Sequence, residues 1–193
     1  MKTLALAGVE AGDSREGRDS VLDAARTGDR AAFDLLMRRH ERLVLGTACR
    51  LAGNLEDAQD ASQEVFLRLY RNLAKLDAGN LAAWLYRVTV NVCHDARRRR
   101  PATVPVDDAA ELAVAGDPQQ SADEAERRAL LLRSLRMLPE KERAALVLRD
   151  LEGLSTAEVA GVLGSSVGTV RSQISKARLK MRSFVERYSR RRL

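Results

Sequence analysis

Hydrophobic positions recur at helical spacing along most of the chain. The clearest case lies between residues 81 and 100, where Leu81, Leu85, Val88 and Val92 follow the i, i+4, i+7, i+11 spacing of one buried helix face. No segment has a convincing strand pattern. Aromatic residues make up only 4% of the sequence, so the core must come mainly from Leu, Val and Ala, a mixture that favours helices. The pattern predicts an all-α protein.

Local start and stop signals divide this pattern into separate helices. Ser20 is a candidate N-cap for the first helix, and Asn54 is one for the segment LEDAQDASQEVFLRLYRNL, whose first turn is acidic. Pro101 prevents the helix before it from continuing. Ser155 and Glu158 have the S-x-x-E spacing of a capping box, which predicts the start of another helix.

One segment in the middle of the chain lacks a helical pattern. Residues 103–126 carry seven acids and no Lys or Arg, and prolines stand at positions 101, 105 and 118. We interpret residues 101–126 as a flexible acidic linker, long enough to reach about 80 Å when extended, although helical spacing already resumes at about Ser121. The prediction is then a flexible tail over residues 1–19 and two small helical domains, residues 20–100 and 127–193, on either side of the linker.

The charge distribution indicates a polyanionic partner for the second domain. The whole chain has a formal net charge of +6, whereas residues 127–193 hold 16 basic and six acidic residues, a surplus of ten. A basic surplus confined to one segment is typical of nucleic-acid binding. A solvated basic surface is the alternative, although such a surface usually intersperses acids with its Lys and Arg.

The second domain carries the pattern of a helix-turn-helix. The capped helix STAEVAGVLG ends at Gly164, and a second helix follows after a short turn. On the second helix Val170, Ile174, Ala177 and Met181 form one apolar face. The opposite side combines small hydroxyl residues with cations, which suits phosphates and base edges in a major groove. The candidate DNA-contacting residues are Ser166, Gly168, Thr169, Arg171, Ser172, Ser175, Lys176 and Arg178.

Catalytic and metal-binding motifs are missing from the sequence. His40 and His94 are its two histidines, and neither lies near a plausible nucleophile or a cluster of metal ligands. We therefore expect no metal, no cofactor and no enzymatic activity. Cys49 and Cys93 lie far apart in apolar helical contexts, which predicts buried free thiols in a reducing cytoplasm. No apolar run approaches the roughly 18 residues of a membrane span, so no membrane insertion is expected.

Three stretches of the sequence resemble a known family. The segment LPEKERAALVLRDLEGLSTAEVAGVLGSSVGTVRSQISKARLKMR, with its GTVRS core and the KAR that follows, resembles the promoter-reading C-terminal domain of bacterial sigma factors of the extracytoplasmic-function (ECF) group. Upstream, DAQDASQEVFLRLYRN is similar to the polymerase-binding helix of that group, and AAWLYRVTVNVCHDARRRR to its strand-opening helix. The resemblance implies a protein that binds core RNA polymerase and directs it to promoters, without chemistry of its own.

The resemblance assigns the first of these helices to the polymerase. It implies that an acidic and polar face grips the basic coiled coil of the largest subunit, and that the polymerase flap is a second contact. The residues on this face are Asp57, Asp60, Gln63 and Glu64. A solvated helix face has the same spacing, so the pattern alone leaves that alternative open.

The strand-opening helix is implied to melt the minus-ten element and hold its single-stranded bases. An aromatic ring beside cations suits unstacked bases, which offer flat faces and phosphates. The candidates are Asn80, Trp84, Arg87, Asn91, Asp95, Arg97 and Arg98. Two alternatives stay open: Trp84 as a core aromatic, and the arginine run as a complement to the helix C-terminus. The helix from Gly168 to Arg178 is implied to read the minus-thirty-five duplex.

The family also implies an anti-sigma protein that sequesters the chain. Two other functions stay open beside the sigma factor. A freestanding helix-turn-helix regulator would bind duplex operators as a dimer, and it would need neither the acidic face nor the Trp84 stripe. A nucleic-acid-processing enzyme would need a cluster of Asp, Glu or His on loops, which the sequence lacks.

Overall fold

All regular structure in the described part of the chain is helical. The computed structural model describes residues 15–99 and 122–190. Eight α-helices lie in these ranges: α1 (Arg15–Arg26), α2 (Arg30–Ala52), α3 (Leu55–Asn72), α4 (Leu81–Arg99), α5 (Ala122–Arg136), α6 (Glu140–Leu146), α7 (Thr156–Leu163) and α8 (Val167–Arg190). Short 3₁₀ turns at Leu73–Lys75 and Ala78–Asn80 connect α3 to α4, and a π-helical turn at Val147–Leu151 extends α6. The all-α prediction is confirmed.

The N-terminal module, α1 to α4, is built around the long helix α2. This helix contacts α1, α3 and α4, and α3 also packs on α4. The centre of the module is apolar, with Val44, Val65, Leu69 and Leu85 fully buried. Burying one Leu or Val side chain contributes about 1.5–3 kcal/mol. The core therefore fixes the rotation of α3 and α4, and their polar faces point outward.

The helix-start signals at Asn54 and at Ser155 with Glu158 are confirmed. The Asn54 side chain accepts a hydrogen bond from the backbone N–H of Asp57 at 2.7 Å and begins α3. At the start of α7, the Ser155 hydroxyl accepts from the N–H of Glu158, and the Glu158 carboxylate accepts from the N–H of Ser155. Reciprocal bonds of this kind satisfy two backbone donors that a helix start leaves free.

The C-terminal module, α5 to α8, buries the apolar face predicted for α8. Val170 and Ala177 are fully buried, Ile174 is 6% exposed, and Met181 packs against the same core. These residues hold α8 against α6 and α7. Because one side of α8 is fixed in the core, its opposite side faces away from the module.

Two boundaries differ from the sequence prediction. α1 begins at Arg15, so Ser20 lies inside the helix and residues 15–19 are not a tail. No proline interrupts the turn before Ser20, and the helix extends through it. α5 begins at Ala122, inside the range assigned to the linker; Asp123 and Glu124 occupy its first turn, where acids complement the helix dipole. The rest of the predicted tail and linker lies outside the described residues.

The two modules are in contact, which the sequence did not predict. Their buried apolar residues form one continuous cluster. Leu132 of α5 packs against Cys49 and Leu55 of the N-terminal module. The aliphatic stem of Arg136 lies against Gly53, which ends α2 in the left-handed conformation at φ 90°. A side chain at position 53 would meet both the Arg136 stem and backbone strain.

Candidate nucleic-acid interface

The second helix of the helix-turn-helix is positioned by its turn and its buried face. Gly164 ends α7 at φ 59°, a left-handed conformation that glycine adopts without steric cost. The Ser166 hydroxyl then accepts the backbone N–H of Thr169 at 3.1 Å and begins α8. Both features were predicted from the sequence, and together they define where α8 starts and in which direction it runs.

The face of α8 predicted to contact DNA is open to solvent. Every predicted residue on it is exposed: Ser166, Gly168, Thr169, Arg171, Ser172, Ser175, Lys176 and Arg178. Within the described ranges, Arg171 and Lys176 form no hydrogen bond or ion pair with another residue. Ser166 and Thr169 share a hydroxyl–hydroxyl contact of 2.8 Å. The face therefore offers two cations whose charge no neighbouring side chain neutralises.

Arg178 differs from the other cations of this face because its guanidinium is occupied. Its Nε and one terminal nitrogen donate to the two carboxylate oxygens of Asp150, at 2.8 and 2.6 Å. This hydrogen bonding raises the pKa of Arg178. The pair ties α8 to the π-helical turn after α6. A contact between Arg178 and a phosphate would require the side chain to leave Asp150, and its DNA role stays a prediction.

The second predicted DNA face, on α4, is only partly open. Arg87, Asn91, Arg97 and Arg98 are exposed, as is Asn80 in the preceding 3₁₀ turn. Trp84 and Asp95 are half-buried, and Trp84 packs against the apolar core. The two interpretations of Trp84 are thus compatible, because its side chain packs against the core and is still partly exposed.

Cations of α4 are bound by the C-terminal module. Arg87 donates to the backbone carbonyl of Gly161 in α7 at 2.8 Å. Arg97 lies 3.4 Å from the carboxylate of Glu140, and His94 lies 3.1 Å from the same carboxylate. The α4 face is therefore turned towards the helix-turn-helix, a relation that the sequence did not indicate.

A cleft of about 340 Å³ separates the two predicted DNA faces. Asn91, His94 and Arg97 of α4 line one side, and Thr169 and Gln173 of α8 line the other. Gln173 places a buried amide oxygen without a protein hydrogen-bond partner in this region. Residues from both DNA faces thus border the same narrow space.

The acidic face of α3 is narrower than the sequence predicted. Asp60 and Gln63 are exposed. Asp57 is half-buried and accepts a hydrogen bond from the Asn54 amide at 2.6 Å, and Glu64 is half-buried and paired with Arg68 at 2.7 Å. Asp60 and Gln63 are the members of the set that face water most fully.

Two exposed apolar residues on α3 were missed by the sequence analysis. Leu67 is 50% exposed and Tyr70 is 64% exposed. They follow Asp60 and Gln63 at i+7, which places them on the same side of the helix. The sequence signal that could have revealed them is the i+7 spacing, which continues the polar stripe of Asp60 and Gln63 with Leu67 and Tyr70. Exposed apolar side chains beside a polar face are typical of protein–protein contacts.

Glu152, at the end of the π-helical turn, joins the modules through its carboxylate. One oxygen accepts from the Thr47 hydroxyl at 3.0 Å and from the Arg50 guanidinium at 2.7 Å, and the other accepts from the Tyr86 hydroxyl at 3.3 Å. Burial, and then the charge of Glu152, raises the pKa of Tyr86. We call Glu152 with its three donors the Glu152 junction.

Arg143 makes a second polar connection between the modules. It is 2% exposed and donates to the carbonyl of Leu51, near the end of α2, at 2.7 Å. It also donates to the carbonyls of Arg136 and Leu138 in its own module. Burial lowers the pKa of Arg143 to about 10. These bonds satisfy carbonyls that the ends of α2 and α5 leave without partners.

The two cysteines are free thiols. Cys93 is buried, as predicted, whereas Cys49 is half-buried. Burial raises the pKa of Cys93 to about 12, and it also raises the pKa of Cys49. Because the thiolate is the reactive form, both side chains are poor nucleophiles at neutral pH.

Within residues 15–99 and 122–190, no group of three or more His, Cys, Asp or Glu residues is placed to hold a metal ion. Among the described helices, none is long and apolar enough to cross a bilayer.

Comparison with known protein families matches both modules. The family model "Sigma-70 region 2" matches residues 36–103, and "Sigma-70, region 4" matches residues 128–181. The first range covers most of the N-terminal module, and the second covers α6, α7 and the predicted DNA-contacting part of α8.

The matches to similar proteins span both modules of this chain. The chain is 38% identical over 188 residues to the ECF RNA polymerase sigma factor SigE of Mycolicibacterium smegmatis, covering 94% of this chain and 72% of the relative. The solved structure of CnrH in complex with the cytosolic domain of CnrY matches with a TM-score of 0.64 and 30% identity, covering 88% of this chain and 97% of CnrH. The sigma factor RpoE in complex with the anti-sigma factor NepR from Bartonella quintana shares the fold, with a TM-score of 0.63 and 20% identity, over 80% of this chain and 96% of RpoE.

Proposed function

This chain belongs to the ECF group of bacterial RNA polymerase sigma factors, a non-enzymatic family, and we propose that it directs core polymerase to promoters through three separate surfaces. α8 reads the minus-thirty-five duplex, α4 opens the minus-ten element, and α3 docks on the polymerase. The domains that carry these surfaces are residues 20–100 and 127–193, joined by the acidic segment at 101–126.

The α8 face carries the proposal for duplex reading. Its cations Arg171 and Lys176 are exposed without ion-pair partners in the described ranges, and Gly168, Ser172 and Ser175 add little bulk beside them. An arginine can bind guanine through two hydrogen bonds, while lysine and serine hold phosphates. This is the observation that best separates the chain from a helical protein with an ordinary solvated face.

The α4 face supports a role in strand opening. Trp84 is half-buried, Arg87 and Asn91 follow it one and two turns along α4, and Arg97 and Arg98 lie one to two turns after Asn91. Single-stranded bases bind by stacking on aromatic rings and by phosphate contacts with cations. Asn80, in the turn before α4, and Asp95 complete the proposed set. Asn80 is exposed, and its amide, which donates to the Asp77 carboxylate at 3.4 Å, would exchange that bond for a base that has left the duplex.

The α3 face supports docking on the polymerase. Asp60 and Gln63 are exposed; Asp57 extends the acidic stripe towards the start of the helix, and Glu64 lies directly after Gln63. We propose that this stripe meets the basic coiled coil of the largest subunit, and that the flap contacts the C-terminal module. Opposite charges at such a surface increase both specificity and the rate of association.

An anti-sigma protein is the second proposed partner, with the cytoplasm as the place of action. RpoE of Bartonella quintana was solved with an anti-sigma factor, and its fold is shared by this chain. The partner would compete with the polymerase or with promoter DNA for the surfaces named above. Promoter DNA and core polymerase are themselves cytoplasmic in bacteria.

Transcription in vitro tests the proposed function. Purified protein is added to sigma-free core polymerase from the same organism with fragmented genomic DNA, and the RNA 5′ ends are sequenced. We expect discrete start sites that share two upstream motifs about two duplex turns apart. An absence of specific starts, together with tight binding to duplex DNA without polymerase, would favour the freestanding regulator.

A further inference from the structure

One large apolar side chain of α8 faces water. Leu179 is 66% exposed and lies outside the apolar core. Met181, two positions later, packs against that core from the opposite side of the same helix. Among the described residues of α8 from Gly168 to Ser183, Leu179 is the one large apolar side chain that is exposed. The packing of the C-terminal module therefore does not account for a leucine at this position.

Leu179 continues the face of α8 that we propose to read duplex DNA. It follows Lys176 at i+3, Ser175 at i+4 and Ser172 at i+7, and these spacings place residues on one side of a helix. From Gly168 to Leu179 the helix advances about 16 Å, which is the rise of about five base pairs of duplex DNA. Leu179 therefore lies at the far end of the same face, one turn beyond Ser175.

The charges around Leu179 suit DNA better than they suit a protein surface. No Asp or Glu occurs in the sequence from Gly164 to Val185. Lys176, one turn before Leu179, is exposed and forms no ion pair in the described ranges. In a major groove, thymine methyl groups lie on the groove floor between the phosphates of the two strands. An apolar side chain next to an unpaired cation matches that arrangement of methyl group and phosphate.

We propose that Leu179 contacts the methyl group of a thymine and thereby adds a base preference at one end of the minus-thirty-five element. The inference rests on the reading role proposed for α8 and names a further residue for it. Thymine is the base that carries a methyl group on its major-groove edge, whereas serine hydroxyls bond to several bases and to phosphates. Leu179 therefore selects thymine by apolar contact, which Ser172 and Ser175 cannot do.

Selection of promoters from a randomised pool tests the contact. Holoenzyme containing wild type or Leu179→Ala binds promoters that are randomised over the minus-thirty-five element and its flanking base pairs, and the bound DNA is sequenced. We expect wild type to prefer thymine at one position and Leu179→Ala to lose the preference at that position alone. The control is Val185→Ala, which shortens a side chain of α8 that is 37% exposed and lies off this face. Circular dichroism checks that helicity is unchanged.

Replacing the selected thymine by uracil removes the methyl group and leaves the hydrogen-bonding groups in place. We expect wild-type holoenzyme to bind about fourfold more weakly, the effect of one buried methyl group, and Leu179→Ala to bind both duplexes equally. Identical base preferences for wild type and Leu179→Ala, or equal sensitivity of both to uracil, would overturn the proposal. A loss of binding by Leu179→Ala that is the same on every sequence would also overturn it, because Leu179 would then contact a protein. Failure of the proposed function is distinct, because wild type itself would then select no motif.

Discussion

The two surfaces proposed to contact DNA differ in whether their side chains already contact other parts of the protein. On α8, Arg171 and Lys176 are exposed and free of ion pairs within the described ranges. On α4, Arg87 and Arg97 are held by the C-terminal module, and Trp84 rests partly in the core. A free face can meet duplex DNA at first encounter, whereas an occupied face has to be released first. The difference suggests an order: duplex reading by α8 needs less rearrangement than strand opening by α4.

The largest effect is expected from losing the contact with core polymerase, because transcription by either DNA face depends on that contact. Asp60→Arg combined with Glu64→Arg places cations against a basic coiled coil, and like charges in an interface cost several kcal/mol. We expect the double variant to bind core polymerase at least about 100-fold more weakly, which corresponds to about 2.7 kcal/mol. Co-elution with core on size exclusion measures this.

The matched control reverses two acids on the other module. Asp123→Arg with Glu186→Arg changes the net charge equally and is expected to leave co-elution intact. Unchanged co-elution of the Asp60 and Glu64 double variant would remove the docking role from α3. In that case the solvated-face interpretation of this helix would be the correct one.

Removing a free cation from α8 is expected to weaken duplex binding next most strongly. Arg171→Ala should cost about 1–3 kcal/mol if Arg171 binds a base through two hydrogen bonds. Titration of the holoenzyme on duplex promoters measures the loss, and polymerase binding should not change. Arg182→Ala removes the same charge from an exposed position of α8 outside the predicted face. Equal losses for the two variants would mean that α8 acts through charge alone.

Removing an occupied cation from α4 is expected to act at a different step. Arg87→Ala loses a proposed contact with the opened strand and also the bond to Gly161 of the C-terminal module. A contact of a charged group contributes about 1.5–3 kcal/mol. Part of this is offset, because the bond to Gly161 that Arg87 would have to give up is removed too. We therefore expect a several-fold loss of minus-ten opening, measured by permanganate reactivity of thymines, with duplex affinity unchanged. A loss of duplex affinity equal to that of Arg171→Ala would erase the distinction between the faces.

The smallest effect is expected at Arg178, the cation of the predicted α8 face that is ion-paired with Asp150. Asp150→Ala frees Arg178, and an exposed ion pair of this kind contributes about 0.2–1 kcal/mol. We expect the free energy of unfolding, from urea denaturation, to fall by no more than that amount. Duplex affinity should rise slightly if Arg178 then reaches a phosphate. If Arg178→Ala lowers stability equally and leaves duplex affinity at the wild-type value, Arg178 is a structural tie only.

The features that could be predicted from the sequence are local ones. The Asn54 cap, the Ser155–Glu158 capping box and the buried face around Val170 each depend on residues within one or two helical turns. The start of α5 at Ala122 agrees with the helical pattern that resumes at about Ser121, but the linker range overlaps it, because Asp123 and Glu124 suit an acidic linker and a helix N-terminus equally well.

Contacts between the modules had no sequence signal. Glu152 and Arg50 are separated by 102 positions, and Arg87 and Gly161 by 74. No hydrophobic period or spacing rule connects residues so far apart. In the sequence, nothing distinguishes Arg143 from the other basic residues of the C-terminal module. Its burial is visible only once α2 and α6 are brought together.

The most direct test compares variants of the two faces on a duplex promoter and on a promoter opened in advance. Transcription is measured for wild type, for Arg171→Ala, and for Arg87→Ala with Asn91→Ala, on an ordinary promoter and on one whose minus-ten element is opened in advance by mismatches. If α8 reads the duplex and α4 opens it, the pre-opened template rescues much of the α4 defect and leaves the Arg171→Ala defect unchanged. Equal rescue of both variants, or of neither, would contradict the division of work between α8 and α4.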